Sequence, residues 1–207
     1  MKNIPEAYLD SLNEAQKAPV LHKDGPLIVI AGAGSGKTRV LTYRISHLMA
    51  SGVDSFSILA LTFTNKAARE MKGRIADLVG ESEAKNLWMG TFHSVFARIL
   101  RHEADKLGFP SNFTIYDTQD SDRLISSIIK EMGLDKEIYK YKQIRSRISA
   151  FKNSLITVKA YFNDYDLQEA DTMSKRPKMG SIYKEYIDRC FKAGAMDFDD
   201  LLLRTNE

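Results

Sequence analysis

The stretch Leu27–Thr42, LIVIAGAGSGKTRVLT, constrains this chain more than any other. Leu27–Ala31 is a short apolar run rich in β-branched side chains, and it reads as a buried strand. Gly32, Gly34 and Gly36 follow, then Lys37 and Thr38, then an amphipathic segment. Strand, glycine-rich turn and helix start, in that order, are the context of a phosphate-binding loop. Glycines let the backbone curl so that several N–H groups face phosphate oxygens at the positive end of a helix. Lys37 would bring a compact cation to the β- and γ-phosphates, and Thr38 would put its hydroxyl on Mg²⁺. The strict pattern opens with glycine; here that position is Ala31, which ends the strand and does not wrap phosphate. The stretch therefore predicts a nucleoside triphosphate site formed by Ala31, Gly32, Ala33, Gly34, Ser35, Gly36, Lys37 and Thr38.

Composition sets the limits around that site. The 207 residues suffice for one large domain, or for one domain carrying a sizeable insertion. A net charge of +3 permits a nucleic-acid partner without demanding one, so that case must rest on local clusters. The single cysteine, Cys190, excludes an internal disulfide and a Cys-rich zinc site. His22, His47, His93 and His102 show no metal-ligand spacing, and no structural metal is expected. No apolar run approaches the roughly 18 residues of a membrane span, and the N-terminal MKNIPEAYLD lacks a signal-peptide core. The expected compartment is the cytoplasm, with no membrane partner.

Along the chain, Asn13 with Gln16 resembles a capping box opening a helix over 14–22. After the glycine loop, a helix over roughly 36–50 has Leu41, Ile45 and Leu48 at helical spacing and stops at Gly52. Ile58–Leu61 reads as a second buried strand, at an interval that suits one βαβ crossover. Thr64 can cap a helix whose core face is Ala68, Met71, Ile75 and Leu78. Leu87–Gly90 is a third strand candidate, and a long helix runs from about His93 to Leu107. This alternation predicts an α/β fold, a parallel sheet with helices on both faces. After Gly108-Phe109-Pro110, Phe113–Tyr116 is strand-like and helices then dominate. Residues 139–159 carry six Lys/Arg and no acid, with Ile144, Ile148, Phe151 and Leu155 on one helical face and Lys142, Arg145 and Lys152 on its flank. A loop is expected around 163–180, and a last helix over 181–193.

LNEAQ (12–16), AGAGSGKT (31–38), LTFTNKAAREMKGRI (61–75), GTFHS (90–94) and MDFDDLL (196–202) occur in an order and at spacings that resemble the UvrD/Rep/PcrA family. Members of that family are superfamily 1 DNA helicases moving 3′ to 5′ on single strands. The resemblance implies a RecA-like P-loop motor domain interrupted by a mainly helical insertion: motor over 1–109, insertion over 110–192, and return to the motor over 193–207. It implies ATP and Mg²⁺ as cofactors. Single-stranded DNA and single/double-strand junctions are the implied partners, together with the remaining helicase domains of the same chain, in a DNA-repair setting.

Residue by residue, the resemblance gives Gln16 the role of reading adenine, which suits the paired donor and acceptor of its amide. Gln16 also fits as nothing more than part of the capping box. Arg39 resembles the family residue beside the nucleotide. Asn65-Lys66 is not a guanine-reading motif, because position 68 is alanine. Thr62, Phe63, Thr64 and Asn65, with Thr91 and His93, are expected on the single-strand path, polar groups holding the backbone and an aromatic meeting a base. Thr91 and His93 are expected at the same sheet edge as the loop after the preceding strand. Lys142, Arg145 and Lys152 are candidate phosphate contacts.

MDFDDLL offers Asp197, Asp199 and Asp200, but no hydrophobic strand precedes it, so it reads as a loop entering a helix and not as the Mg²⁺-binding acidic motif. In the family that motif comes shortly afterwards. Phosphoryl transfer needs an aspartate on Mg²⁺ and a glutamate on the attacking water as well as the P-loop. Residues 1–207 are therefore expected to bind nucleotide weakly and to turn it over negligibly. Two other readings are a metabolic kinase with a helical lid, and a DNA-binding module without catalysis.

Overall fold

Asn13 and Gln16 start the first well-formed helix by exchanging hydrogen bonds. The Asn13 side chain accepts from Gln16 N–H at 2.9 Å, and Gln16 Oε1 accepts from Asn13 N–H at 3.2 Å. The computed structural model describes residues 7–207, so the reading of MKNIPEAYLD rests partly on residues 1–6, which lie outside the described residues. Two compact units divide the chain, Met1–Val95 and Phe96–Glu207. Sequence character changes near 110, but the units part earlier, inside a helix.

The first unit runs α1 (Ala7–Asp10), α2 (Glu14–Leu21), α3 (Lys37–Ala50), β1 (Leu59–Thr62), α4 (Asn65–Val79), α5 (Glu81–Asn86), β2 (Trp88–Thr91) and the first turn of α6 (Phe92–Glu103). β1 and β2 pair in parallel, Leu59 opposite Trp88 and Thr62 opposite Thr91. α4 lies between them in sequence and buries Met71, Ile75 and Val79 against Ile45, Ile58, Ala60 and Leu87. α3 packs in two directions, Ile45 into that core and Val40 against Leu12 and Val20. Those two contacts set which face of α3 is buried. Leu41, expected in the core, is 40% exposed instead.

Leu27–Ala31 departs most from expectation. It forms no strand, and Ile28 and Ile30 are 87% and 96% exposed. A buried parallel strand needs hydrogen-bonding neighbours, and among the described residues β1 pairs only with β2. Composition supplies a strand's side chains but not its partners.

The second unit contains the rest of α6, then β3 (Thr114–Tyr116), α7 (Thr118–Glu131), α8 (Tyr141–Asn153), α9 (Val158–Asn163), α10 (Tyr165–Met173), α11 (Met179–Lys192), β4 (Ala195–Asp197) and α12 (Phe198–Asn206). Its main core joins Ile125, Ile128 and Ile129 of α7 to Ile144, Ile148 and Phe151 of α8 and to Ile182, Tyr183 and Tyr186 of α11. β3 and β4 pair in parallel. Beside them Leu100, Phe109, Phe113, Met196 and Leu201 form a second cluster.

Three local expectations change here. Half of the loop expected over 163–180 is α10, whose start is capped by Asp164 accepting from Leu167 N–H at 3.0 Å. The basic residues Lys175, Arg176 and Lys178 occupy the short turn that follows. Ala195–Asp197 is strand and not loop. Leu155, expected on the core face of α8, is 55% exposed because the helix stops two residues earlier. There Ile156 N–H bonds Phe151 O at 2.8 Å and Leu155 N–H bonds Lys152 O at 3.0 Å, with Leu155 at φ 57°. That is a Schellman closure with leucine where glycine is usual. Over the described residues 7–207 the fold is α/β with helices predominating and two small parallel sheets. Among the described residues no helix is long and apolar enough to cross a membrane.

Candidate functional site

The glycine loop is built as a cradle leading into α3. Gly34 and Gly36 have φ of 76° and 88°, the left-handed region that glycine enters without strain. Gly36 is the residue immediately before α3, so the loop ends on that helix's unpaired N–H groups. A Cβ at Gly32 or Gly34 would meet nothing within 4 Å, which leaves the inside of the turn open. Lys37 Nζ donates to the carbonyls of Ala31 and Gly32 at 2.9 and 2.7 Å, and Ser35 Oγ donates to Gly32 O at 2.8 Å. The ammonium therefore sits over the loop. Thr38 is exposed on the first turn of α3. A triphosphate fits this arrangement: backbone N–H groups at a helix start, an ammonium above them, and a hydroxyl one residue on, which would hold Mg²⁺.

Gln16 reaches this loop from outside. Its Nε2 donates to Ser35 O at 3.0 Å while Oε1 completes the capping box. Arg39 lies over the ring of Tyr43, 5.4 Å from its centroid. A hydrogen bond with Ser11, with Arg39 adding to it against the effect of burial, holds the Tyr43 phenol below its ordinary pKa. Arg39, Tyr43, Arg74, Asp77 and Leu78 line one hollow of about 360 Å³. Sequence reading missed Tyr43; its spacing of four from Arg39 was the available signal.

The two strand-end motifs come together. Parallel register sets Thr62 opposite Thr91, so TFTNKAA and GTFHS leave the sheet at the same edge, as expected. Thr62 is buried and donates to Thr64 O at 3.0 Å. Thr64 caps α4, accepting from Ala67 N–H at 3.2 Å, and Asn65 is exposed on the first turn. Phe63 is 92% exposed, with its ring 5.6 Å from that of Phe92. Thr91 and Ser94 bond each other, and His93 is half-buried between them in sequence. Gly90 permits this close turn, since a Cβ there would lie 2.6 Å from Ser94 Oγ and 2.9 Å from Val95 Cγ2.

The basic stretch behaves otherwise. Lys142 is exposed beside the Tyr141 ring. Arg145 pairs with Asp122 at 2.6 Å, and Arg147 with Asp171 at 3.1 Å. Lys152, expected to touch phosphate, has a fully buried side chain with Nζ 2.7 Å from Asp197 and 2.8 Å from Asp200. It cannot reach a ligand from there. Acids distant in sequence neutralise cations that are adjacent in sequence, which a local charge count does not register.

Asp197 thus has a structural task. It caps α12 in a reciprocal box with Asp200, and its Oδ2 accepts from Lys152 and from Tyr186 Oη at 2.8 Å. Tyr186 Oη also bonds Ser121 Oγ at 3.0 Å. Burial alone would lower the Lys152 pKa, but the charges of Asp200 and Asp197 outweigh it and raise the group. Burial works against the Asp197 carboxylate too; the charge and hydrogen bond of Lys152 nevertheless bring its pKa below the ordinary value. For Asp200 burial prevails, and its pKa is raised.

Residues 12–207 match the family described as UvrD/REP helicase N-terminal domain. ATP-dependent DNA helicase UvrD1 of Mycobacterium tuberculosis (strain ATCC 25618 / H37Rv) is 45% identical over 202 residues, 97% of this chain and 26% of that protein. The Mycobacterium leprae UvrD1 helicase is 44% identical over the same shares of the two chains. ATP-dependent DNA helicase PcrA of Staphylococcus aureus (strain NCTC 8325 / PS 47) is 41% identical over 96% of this chain and 26% of its own. The chain therefore spans about a quarter of the length of these relatives.

Proposed function

Because this chain belongs to the UvrD/REP helicase family, we propose that it forms the ATP-holding and strand-gripping part of a DNA helicase. Its parent protein steps 3′ to 5′ along single-stranded DNA at junctions with duplex. In this reading residues 1–109 are the first part of a RecA-like motor domain, 110–192 an inserted subdomain, and 193–207 the return to the motor. Gly34 and Gly36 shape the phosphate cradle, Lys37 holds the β- and γ-phosphates, and Thr38 holds Mg²⁺. Gln16 and Arg39 flank the nucleotide. ATP with its metal supplies the free energy of stepping; the residues here bind and orient it. Bound nucleotide draws Lys37 away from the Ala31 and Gly32 carbonyls, because a phosphate oxygen is a stronger acceptor than an amide.

The observation that carries the DNA half of the reading is the register of Thr62 with Thr91. It gathers Phe63, Thr64, Asn65, Thr91 and His93 at one edge, an exposed aromatic among hydrogen-bonding groups, which suits sequence-independent stacking and backbone contact. Lys142 is the one candidate cation of the basic stretch retained as a DNA contact. A repair role and a cytoplasmic compartment accompany the family reading. Fluorescence anisotropy of labelled single-stranded DNA, at low and moderate salt, tests it. Phe63→Ala should weaken binding by about 1–3 kcal/mol, the worth of one stacked base. Equal binding by the parent chain and Phe63→Ala would refute the placement of DNA at this edge.

A further inference from the structure

The glycine loop is held almost wholly by itself: Ser35 and Lys37 both return to the Gly32 carbonyl, and Lys37 also to Ala31. Gln16 is different. It lies on α2, nineteen residues before Ser35 in sequence, and its Nε2 donates to Ser35 O at 3.0 Å. Its other end is anchored by accepting from Asn13 N–H, so the side chain is a fixed strut between the start of α2 and the loop. The fit is close. A Cβ at Gly36 would lie 2.9 Å from Gln16 Nε2, so the amide rests directly against the Gly36 backbone. Gly36 is also the left-handed residue that turns the loop into α3.

We propose that Gln16 is a positioning residue for the phosphate cradle, acting through Ser35 and Gly36 and independently of any base it reads. The inference rests on the nucleotide-site reading above. Gln16 fixes the half of the loop that joins α3, and Lys37 moves in the other half when phosphate arrives. Its effect therefore reaches a ligand that carries phosphates and no base. An adenine-reading residue has no such reach.

The test is binding of inorganic tripolyphosphate and of ATP to the full 207-residue chain, followed by calorimetry. Two variants remove the donor to Ser35 and share nothing else. Gln16→Met is neutral and loses the cap, whereas Gln16→Glu keeps the capping box and adds a charge. Both should weaken tripolyphosphate by about 2- to 10-fold, the usual worth of one hydrogen bond. Asn13→Ala removes the reciprocal cap bond and leaves the Gln16 donor in place. It should lower the melting temperature without changing tripolyphosphate affinity. Parent-like tripolyphosphate binding by both Gln16 variants, with ATP alone weakened, would overturn the proposal and leave Gln16 as a base reader. An equal loss of tripolyphosphate affinity in Asn13→Ala would overturn it as well, assigning the effect to the helix. If the parent chain binds neither ligand in a Lys37-dependent way, the nucleotide site itself fails, and the strut with it.

Discussion

Replacing Lys152 by methionine is the sharpest available test of how the second unit is held together. The side chain is fully buried, and Nζ lies within 2.8 Å of two carboxylates. Methionine fills most of the volume but leaves Asp197 and Asp200 facing each other without a counter-charge. Breaking a buried pair from one side costs about 3–5 kcal/mol. Protonation of one carboxyl offers a partial escape, so the expected loss near neutral pH is at the lower end, about 3 kcal/mol. For a unit of this size that is a drop in melting temperature on the order of 10 °C. The pH dependence carries a sign. In the parent, Asp197 has a lowered pKa, so its contribution is complete above the unfolded-state value and is lost as pH falls through the folded one. Asp200, with a raised pKa, acts oppositely: stability declines as pH rises from the unfolded-state value towards the folded one. Without Lys152 neither carboxylate keeps its main attraction. Both then behave like Asp200, and the variant loses stability as pH rises above the ordinary carboxylate range towards neutrality. The deficit relative to the parent should be greatest at neutral pH and shrink on acidification. Thermal and urea melts at neutral and acidic pH measure it, with Lys142→Met as the exposed control, expected within about 0.5 kcal/mol of the parent. A loss below about 1 kcal/mol at neutral pH, or one that does not change with pH, would refute the assigned role.

Two further outcomes follow from the second unit. Leu155→Gly should stabilise the chain by about 0.5–1 kcal/mol in urea melts, since Leu155 holds φ 57° and is 55% exposed; a destabilised variant would show that its side chain packs usefully. Cys190 is buried, and burial pushes its thiol up to about 12. A disulfide reagent near pH 8 should therefore react only as fast as the unit opens, and faster in Lys152→Met, whereas reaction at the rate of a free thiol in the native parent would contradict that burial.

Features that depend on residues near one another in the chain were legible beforehand. The Asn13–Gln16 capping box, the Thr64 cap, the turn at Gly34 and Gly36, and the helical face of Met71 and Ile75 all rest on contacts a few positions apart, where local sterics and hydrogen bonding suffice. The shared edge of Thr62 and Thr91 was also readable, because one strand–helix–strand passage brings two parallel strands side by side. Tyr186 and Lys152 were not readable in the same way. Whether Lys152 faces solvent or a pair of aspartates depends on α12 packing against α8, and helical spacing is silent on that. Leu27–Ala31 has the composition of a strand, but strand formation depends on backbone pairing with a neighbouring strand, and among the described residues no strand pairs with it. Local propensity and spacing thus account for the caps, turns and motif positions. Burial, charge pairing and sheet membership were decided by long-range packing, because each is a property of two segments at once.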